Sequence, residues 1–154
     1  MKVKVLSLMM LLILVISGCG GKEEKTLDIS PATLAENILE QVNFEANLVP
    51  IAPEAVDNWY FLNDAVTEYA IYINGDVVPA EELAVLKCKS AEDVAQLEAI
   101  LDQRLDNLKT SFENYQPMEL TKINNPIRVT KGNVAVLVLT DDPNAQKTVE
   151  QLLK

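Results

Sequence analysis

Apolar residues recur along this chain with two periods. Leu34, Ile38 and Val42 step by four, Ser30 is placed to cap the first turn and Pro31 suits the first helical position. This predicts a helix over 31–43. Val94, Leu97, Leu101, Leu105, Leu108 and Phe112 step by three or four and keep one narrow stripe on a long helix. That helix opens at Ser90 within an approximate capping box, Ser90-Ala91-Glu92-Asp93, and closes near Tyr115, because Pro117 disfavours helix at Gln116. Between the helices the period falls to two. "VTEYAIYING", residues 66–75, alternates Thr67, Tyr69, Ile71 and Ile73 against Val66, Glu68, Ala70 and Tyr72, and ends in the turn pair Asn74-Gly75. Pro79 interrupts the next segment, and a second strand runs from Glu82 to Lys89.

"PIRVTKGNVAVLVLT" predicts a hairpin: Ile127 to Thr130, a turn at Lys131-Gly132, then Asn133 to Thr140. Val134 to Leu139 is apolar at every position, which predicts a strand covered on both faces. "MELTKINN" fits a short helix, and Asp142-Pro143 starts a final helix with Asp141 or Asp142 as its cap. Residues 44–64 lack periodicity and read as loop with one short helical turn. The order of helix, two strands, long helix, two strands, helix predicts an α+β domain, an antiparallel sheet of about four strands with helices packed on it.

The start of the chain follows neither period. Met1-Lys2-Val3-Lys4 is basic, and Val5 to Ile16 contains a single polar residue, Ser7. As a helix that run would span roughly 18 Å. A bilayer core requires about 20 apolar residues, so the pattern is that of a secretory signal. It ends in Ile16-Ser17-Gly18-Cys19, which resembles the lipobox of bacterial lipoproteins. The resemblance implies that the Cys19 thiol takes a diacylglycerol and that cleavage falls before Cys19. The expected organisation is a signal peptide over 1–18, a lipidated flexible tether over 19–30 and one domain over 31–154. The location expected is outside the cytoplasmic membrane, held there by lipid.

Composition narrows the chemistry. Formal charge is −10, and removal of Lys2 and Lys4 with the signal would make it more negative. An acidic surface disfavours nucleic acid as a partner. The chain has no histidine, which removes the commonest general base and most zinc sites; no metal site or cofactor is implied. With Cys19 acylated, Cys88 stands alone, and alternation with Ala84 and Leu86 places it on an apolar face as a buried, inert thiol. The acidic pairs Glu23/Glu24, Glu81/Glu82, Asp141/Asp142 and Asp102/Asp106 read as solvated surface charge.

"EYAIYING", "EELAVLKCKSAEDV", "LDQRLDNLKTSFENYQP" and "VLVLTDD", in this order, resemble the domain-of-unknown-function 4358 family over roughly residues 30–154. The resemblance implies a small lipoprotein of Gram-positive bacteria and carries no assigned activity or catalytic residues. Its most specific positions are Lys87, Arg104, Phe112, Tyr115 and Pro117.

Two candidate sites emerge. Arg104 lies about 20° from the azimuth of Leu97 and Tyr115 on the long helix. Its head is within reach of a carboxylate such as Glu82 or Glu68, or of a tyrosine hydroxyl, so Glu82, Lys87, Arg104 and Tyr115 form a candidate polar seam between helix and sheet. The alternative is a structural ion pair at the edge of the core, the favoured reading. In "DNWYFLND", Trp59, Tyr60 and Phe61 form a candidate interaction surface; they can equally cap the core where a loop crosses it. The function expected is a non-catalytic binding module of the cell envelope, whose partner is another envelope protein or a wall component. The competing readings are a wall glycan or peptide hydrolase using carboxylates, and a small-solute-binding lipoprotein.

Overall fold

The structure, a computed structural model, describes residues 26–154. The signal, the lipobox (Ile16, Ser17, Gly18, Cys19) and most of the expected tether lie outside the described residues.

Five antiparallel strands form one sheet: β1 (Leu48–Pro50), β2 (Val66–Asn74), β3 (Glu82–Cys88), β4 (Ile127–Lys131) and β5 (Val134–Leu139), in the spatial order β1-β2-β3-β5-β4. The helices are α1 (Pro31–Gln41), α2 (Val94–Glu113), α3 (Leu120–Asn124) and α4 (Ala145–Leu152). A 3-10 turn, Ala91–Asp93, leads directly into α2, and further 3-10 segments occupy Pro53–Asn58 and Pro117–Glu119. The α+β sheet architecture agrees with the sequence pattern. The fifth strand, β1, comes from the aperiodic segment; at three residues it is too short to leave a period. The helical turn expected in that segment is Pro53–Asn58.

The sheet separates two cores. α2 covers one face, where Leu97, Leu101, Leu105 and Phe112 meet Ala84, Leu86, Ala135 and Leu137. On the other face α1 and α4 bring Leu34, Ile38, Ala145 and Val149 against Leu83, Val85, Val136 and Val138. The all-apolar stretch of β5 follows from this: Ala135, Leu137 and Leu139 serve one core, and Val134, Val136 and Val138 the other. All six are buried. In β2 the alternation slips once. A register shift between Val66 and Glu68 turns Val66 to the α2 face, where Tyr69, Ile71 and Ile73 also lie.

The turn between β2 and β3 is longer than the Asn74-Gly75 pair implies. Asn74 ends β2, and its side chain shapes the loop: Nδ2 donates to Pro79 O at 3.0 Å, and Oδ1 accepts from Asp76 N at 3.0 Å. The left-handed conformation falls on neither Asn74 nor Gly75 but on Val77, at φ 70°.

Residues 26–30, assigned by the sequence to the end of the tether, lie against the domain. Leu27 N donates to Asn133 Oδ1 at 2.8 Å, Ile29 O accepts from Lys87 Nζ at 3.0 Å, and the Leu27 and Ile29 side chains pack on the second core. Asn133 follows the β4–β5 turn and Lys87 lies near the end of β3. The antiparallel register therefore puts this N-terminal clip at one end of the sheet and the β2–β3 turn at the other.

Candidate functional site

Four side chains of the first core make a buried polar cluster. Glu82, the first residue of β3, points to the α2 side of the sheet with Ala84 and Leu86. Arg104 occupies the apolar stripe of α2, between Leu101 and Leu105, and meets Glu82 in a forked ion pair: Nη2 to Oε2 at 2.6 Å and Nε to Oε1 at 3.0 Å. The Tyr60 hydroxyl donates to the same Oε1. The Arg104 guanidinium lies over Trp59, 5.1 Å from the ring centroid, and beside the ring of Tyr60, 5.4 Å away. Glu82 is 3% and Arg104 7% exposed, and Tyr60 is fully enclosed. A forked arginine–carboxylate pair with aromatic faces on the guanidinium can hold two charges in such a place.

The protonation of the cluster follows. Burial, and then the charge of Glu82, push the Tyr60 phenol well above its ordinary range. Burial works against the Arg104 cation, but the bonds and charge of Glu82 prevail and hold its pKa above the ordinary value. At neutral pH the cluster is a neutral phenol bonded to a closed ion pair. A cavity of about 30 Å³ lies beside it, lined by Trp59, Asn74, Val77, Glu82, Arg104 and Phe112 among others. That is room for about one water molecule.

Glu81 points away from Glu82 and joins a second buried group. Lys122 of α3 lies 3.3 Å from Asp141, 3.4 Å from Glu119 and 3.8 Å from Glu81. Glu81 Oε2 accepts from Ala46 N at 2.7 Å, whereas Oε1 has no hydrogen-bond partner among the described residues. Burial raises the Glu81 pKa. Lys122 is likewise opposed by burial but held above its usual value by Asp141, Glu119 and Glu81. The expectation that Glu81 and Glu82 are solvated is thus corrected: they are 2% and 3% exposed. Each carboxylate has a cation reaching it from a helix packed at that end of the sheet, a pairing that local sequence does not display.

The candidate seam is half assembled. Glu82 and Arg104 meet, as the favoured ion-pair reading expected. Lys87 does not join them: it follows Leu83 and Val85 on the opposite face and pairs with Glu68 at 3.3 Å. Tyr115 is also outside the seam, because α2 ends at Glu113 and leaves Tyr115 67% exposed. Its place as hydroxyl partner is taken by Tyr60, and for two of the three aromatics the core-capping alternative is the one seen. Trp59 and Tyr60 turn inward onto the first core, and only Phe61, 54% exposed, faces outward. The sequence displayed the aromatic cluster but not its direction, since the loop carrying it has no period. Cys88 is buried as expected, 1% exposed, with Sγ 3.1 Å from Ser90 O, and burial raises its pKa. Among the described residues no group of three or more His, Cys, Asp or Glu side chains is arranged to hold a metal ion, and no helix there is long and apolar enough to cross a membrane.

The end of the sheet away from the N-terminal clip carries exposed apolar side chains. Val49, Val77, Tyr115 and Met118 are 42%, 49%, 67% and 84% exposed. The loop joining α2 to α3 is tied to the β2–β3 turn by Ala80 N donating to Glu119 Oε2 at 2.9 Å, which sets all four residues at this end. Beside Val49 and the turn runs a groove of about 440 Å³, with Glu45, Asn47 and Val49 on one side and Asp76, Val78 and Pro79 on the other.

Comparison with curated proteins and with solved structures found no match. A protein-family comparison did, over residues 40–140, a span that holds all five strands, the buried Tyr60–Glu82–Arg104 cluster and the groove. By that match the chain belongs to the family described as domain of unknown function DUF4358.

Proposed function

We propose that this protein is a lipid-anchored binding module of the cell envelope, displayed outside the cytoplasmic membrane through Cys19, which engages a partner with the end of its sheet formed by the β2–β3 turn. The observation that carries the binding role is the contrast between inside and outside at that end. The ionisable groups enclosed there are paired within the domain: Tyr60 and Arg104 bond to Glu82, and Lys122 reaches Glu81. Meanwhile Val77 is left half-exposed in a left-handed conformation that a β-branched residue rarely adopts. Backbone strain joined to exposed apolar area marks a recognition surface better than a stability device. The anchor rests on the basic start, the short apolar run and the lipobox ending at Cys19.

The hydrolase reading draws on two carboxylates facing a groove, Glu45 and Asp76. Both are exposed, and neither sits in the enclosed, apolar setting in which a catalytic acid is typically held. Binding therefore fits the groove better than hydrolysis.

The two parts are tested apart. Cys19→Ala should abolish acyl labelling and release the chain from membranes; label retained on that variant would overturn the anchor. A photocrosslinking residue at Val77 or Tyr115, in cells, should give a discrete adduct that the same residue at Glu36 on α1 does not. Equal adducts from all three positions would refute the assigned surface. Turnover of wall glycan that is lost in Glu45→Gln or Asp76→Asn would replace binding with hydrolysis.

A further inference from the structure

The groove between the Glu45–Val49 segment and the β2–β3 turn has a lining with a definite chemical sense. It holds two carboxylates, Glu45 and Asp76, the amides of Asn47 and Asn74, and, among the described residues, no lysine or arginine. Both carboxylates are exposed, so each keeps an unhindered side toward an incoming group. The same lining includes the aliphatic side chains of Val49, Val78 and Pro79. An ammonium on a flexible methylene stem matches this arrangement, because its charge meets the rim while its carbons lie on the apolar wall. At about 440 Å³ the groove takes one long side chain and its flanking backbone. It is open along its length beside β1, the edge strand of the sheet, which suits an extended chain passing across it.

We propose that this groove docks an extended, lysine-bearing segment of a partner protein, the lysine ammonium drawn between Glu45 and Asp76 and its methylenes laid on Val49, Val78 and Pro79. The inference rests on the binding role proposed above and gives its partner a chemistry. Glu81 lies close by but is enclosed and committed to Ala46 N and Lys122, so the attraction comes from the two rim carboxylates alone. Two exposed charges on an open groove imply weak, salt-sensitive binding.

The test uses the full chain in detergent micelles, with backbone amide NMR shifts as the readout. The probes are the blocked peptides Gly-Lys-Val-Lys-Gly and Gly-Glu-Val-Glu-Gly, and lysine amide. The lysine peptide should shift amides of residues 45–49 and 74–79 in a saturable way. Affinity should fall several-fold on raising salt from 50 to 500 mM, and about tenfold in the Glu45→Gln/Asp76→Asn double variant. Both substitutions are on the exposed rim, and an unchanged amide spectrum without peptide shows that the fold is retained. The glutamate peptide should leave the groove unshifted. The proposal is overturned by equal shifts with the glutamate peptide, by shifts that the double variant keeps, or by a lysine peptide that shifts nothing. Lysine amide binding as tightly as the peptide would make the groove a small-amine site and also overturn it, as would concentration-dependent shifts without any probe, which indicate a second copy of this chain. A failure here combined with Val77 crosslinks in cells leaves the binding role standing with a different partner chemistry.

Discussion

Arg104 and Glu82 show how much a single side chain can hold in this core. Each neutralises the other inside the core, so removing one partner leaves a stranded charge. Arg104→Ala or Glu82→Ala should each destabilise the domain by about 3–5 kcal/mol, measured by urea unfolding. Arg104→Met combined with Glu82→Leu should recover most of that loss, because apolar residues of similar volume replace a buried pair at little cost. A double variant no more stable than either single alanine variant would show that the aromatic faces of Trp59 and Tyr60 need the guanidinium between them. Val77 poses the opposite case. A left-handed conformation costs an L-residue roughly 1–2 kcal/mol, and glycine returns part of that through its freer unfolded chain. Val77→Gly should therefore raise stability by about 0.5–1 kcal/mol in the same assay while lowering the yield of adduct from a photocrosslinking residue at Tyr115 in cells. The sequence exposed this site in part. Arg104 is conspicuous because it flanks an apolar stripe, and that pointed to a carboxylate, Glu82 or Glu68, or to a tyrosine hydroxyl as its partner. Tyr60 was recognised as one of an aromatic trio but not as the hydroxyl that joins Glu82, since nothing in an aperiodic loop says which residue turns inward.

Elements were legible where a period repeats often enough to average out exceptions. α2, with six apolar positions in register, and β5, apolar throughout, declare both their type and their burial. β1 has three residues and depends on pairing Val49 with Ile73, which is tertiary information. Element junctions carry the most specific polar bonds. Asp142 lies midway along the link from β5 to α4, two residues before the Asn144 N-cap; its Oδ2 accepts from Asn43 N at 2.9 Å and its Oδ1 from Asn144 N at 2.8 Å, joining the start of α4 to the end of α1. These backbone N–H groups hold the Asp142 carboxyl below the usual aspartate range. A group with a folded pKa below its unfolded one contributes stability that is complete above the unfolded value and is lost as pH falls through the folded value. Thermal stability should thus decline on the acid side of the ordinary aspartate range. Asp142→Asn should be less stable near neutrality and show a shallower decline there; an identical acid limb in both proteins would remove Asp142 from that role.

At the scale of the molecule, one sheet serves two cores, and β3 and β5 send alternate residues to each. Neither helical layer has its own apolar floor, so the domain should unfold in one step. Cys88 reports on this. It is enclosed between the sheet and the start of α2, with its thiol held toward the carbonyls of Ser90 and Asn133. Its reaction with a disulfide reagent should follow the urea-unfolding curve measured by circular dichroism; labelling well before that transition would reveal a separable layer. Architecture and the side of the sheet that most strand residues take were available from pattern; Val66, turned by the register shift, and Lys87, on the face away from the seam, were not. What pattern lacked was the arrangement at the two ends of the sheet, where loops distant in sequence converge. The clip of Leu27 on Asn133 and of Ile29 on Lys87 belongs to those ends, and it bears on reach. If a lipid holds Cys19, the chain from there to Leu27 measures at most about 29 Å fully extended, shorter than a tether ending at Ser30 would allow. A mooring that short, made fast to one pole of the protein, would hold that pole nearer the bilayer than Val77 and the groove, which lie at the other.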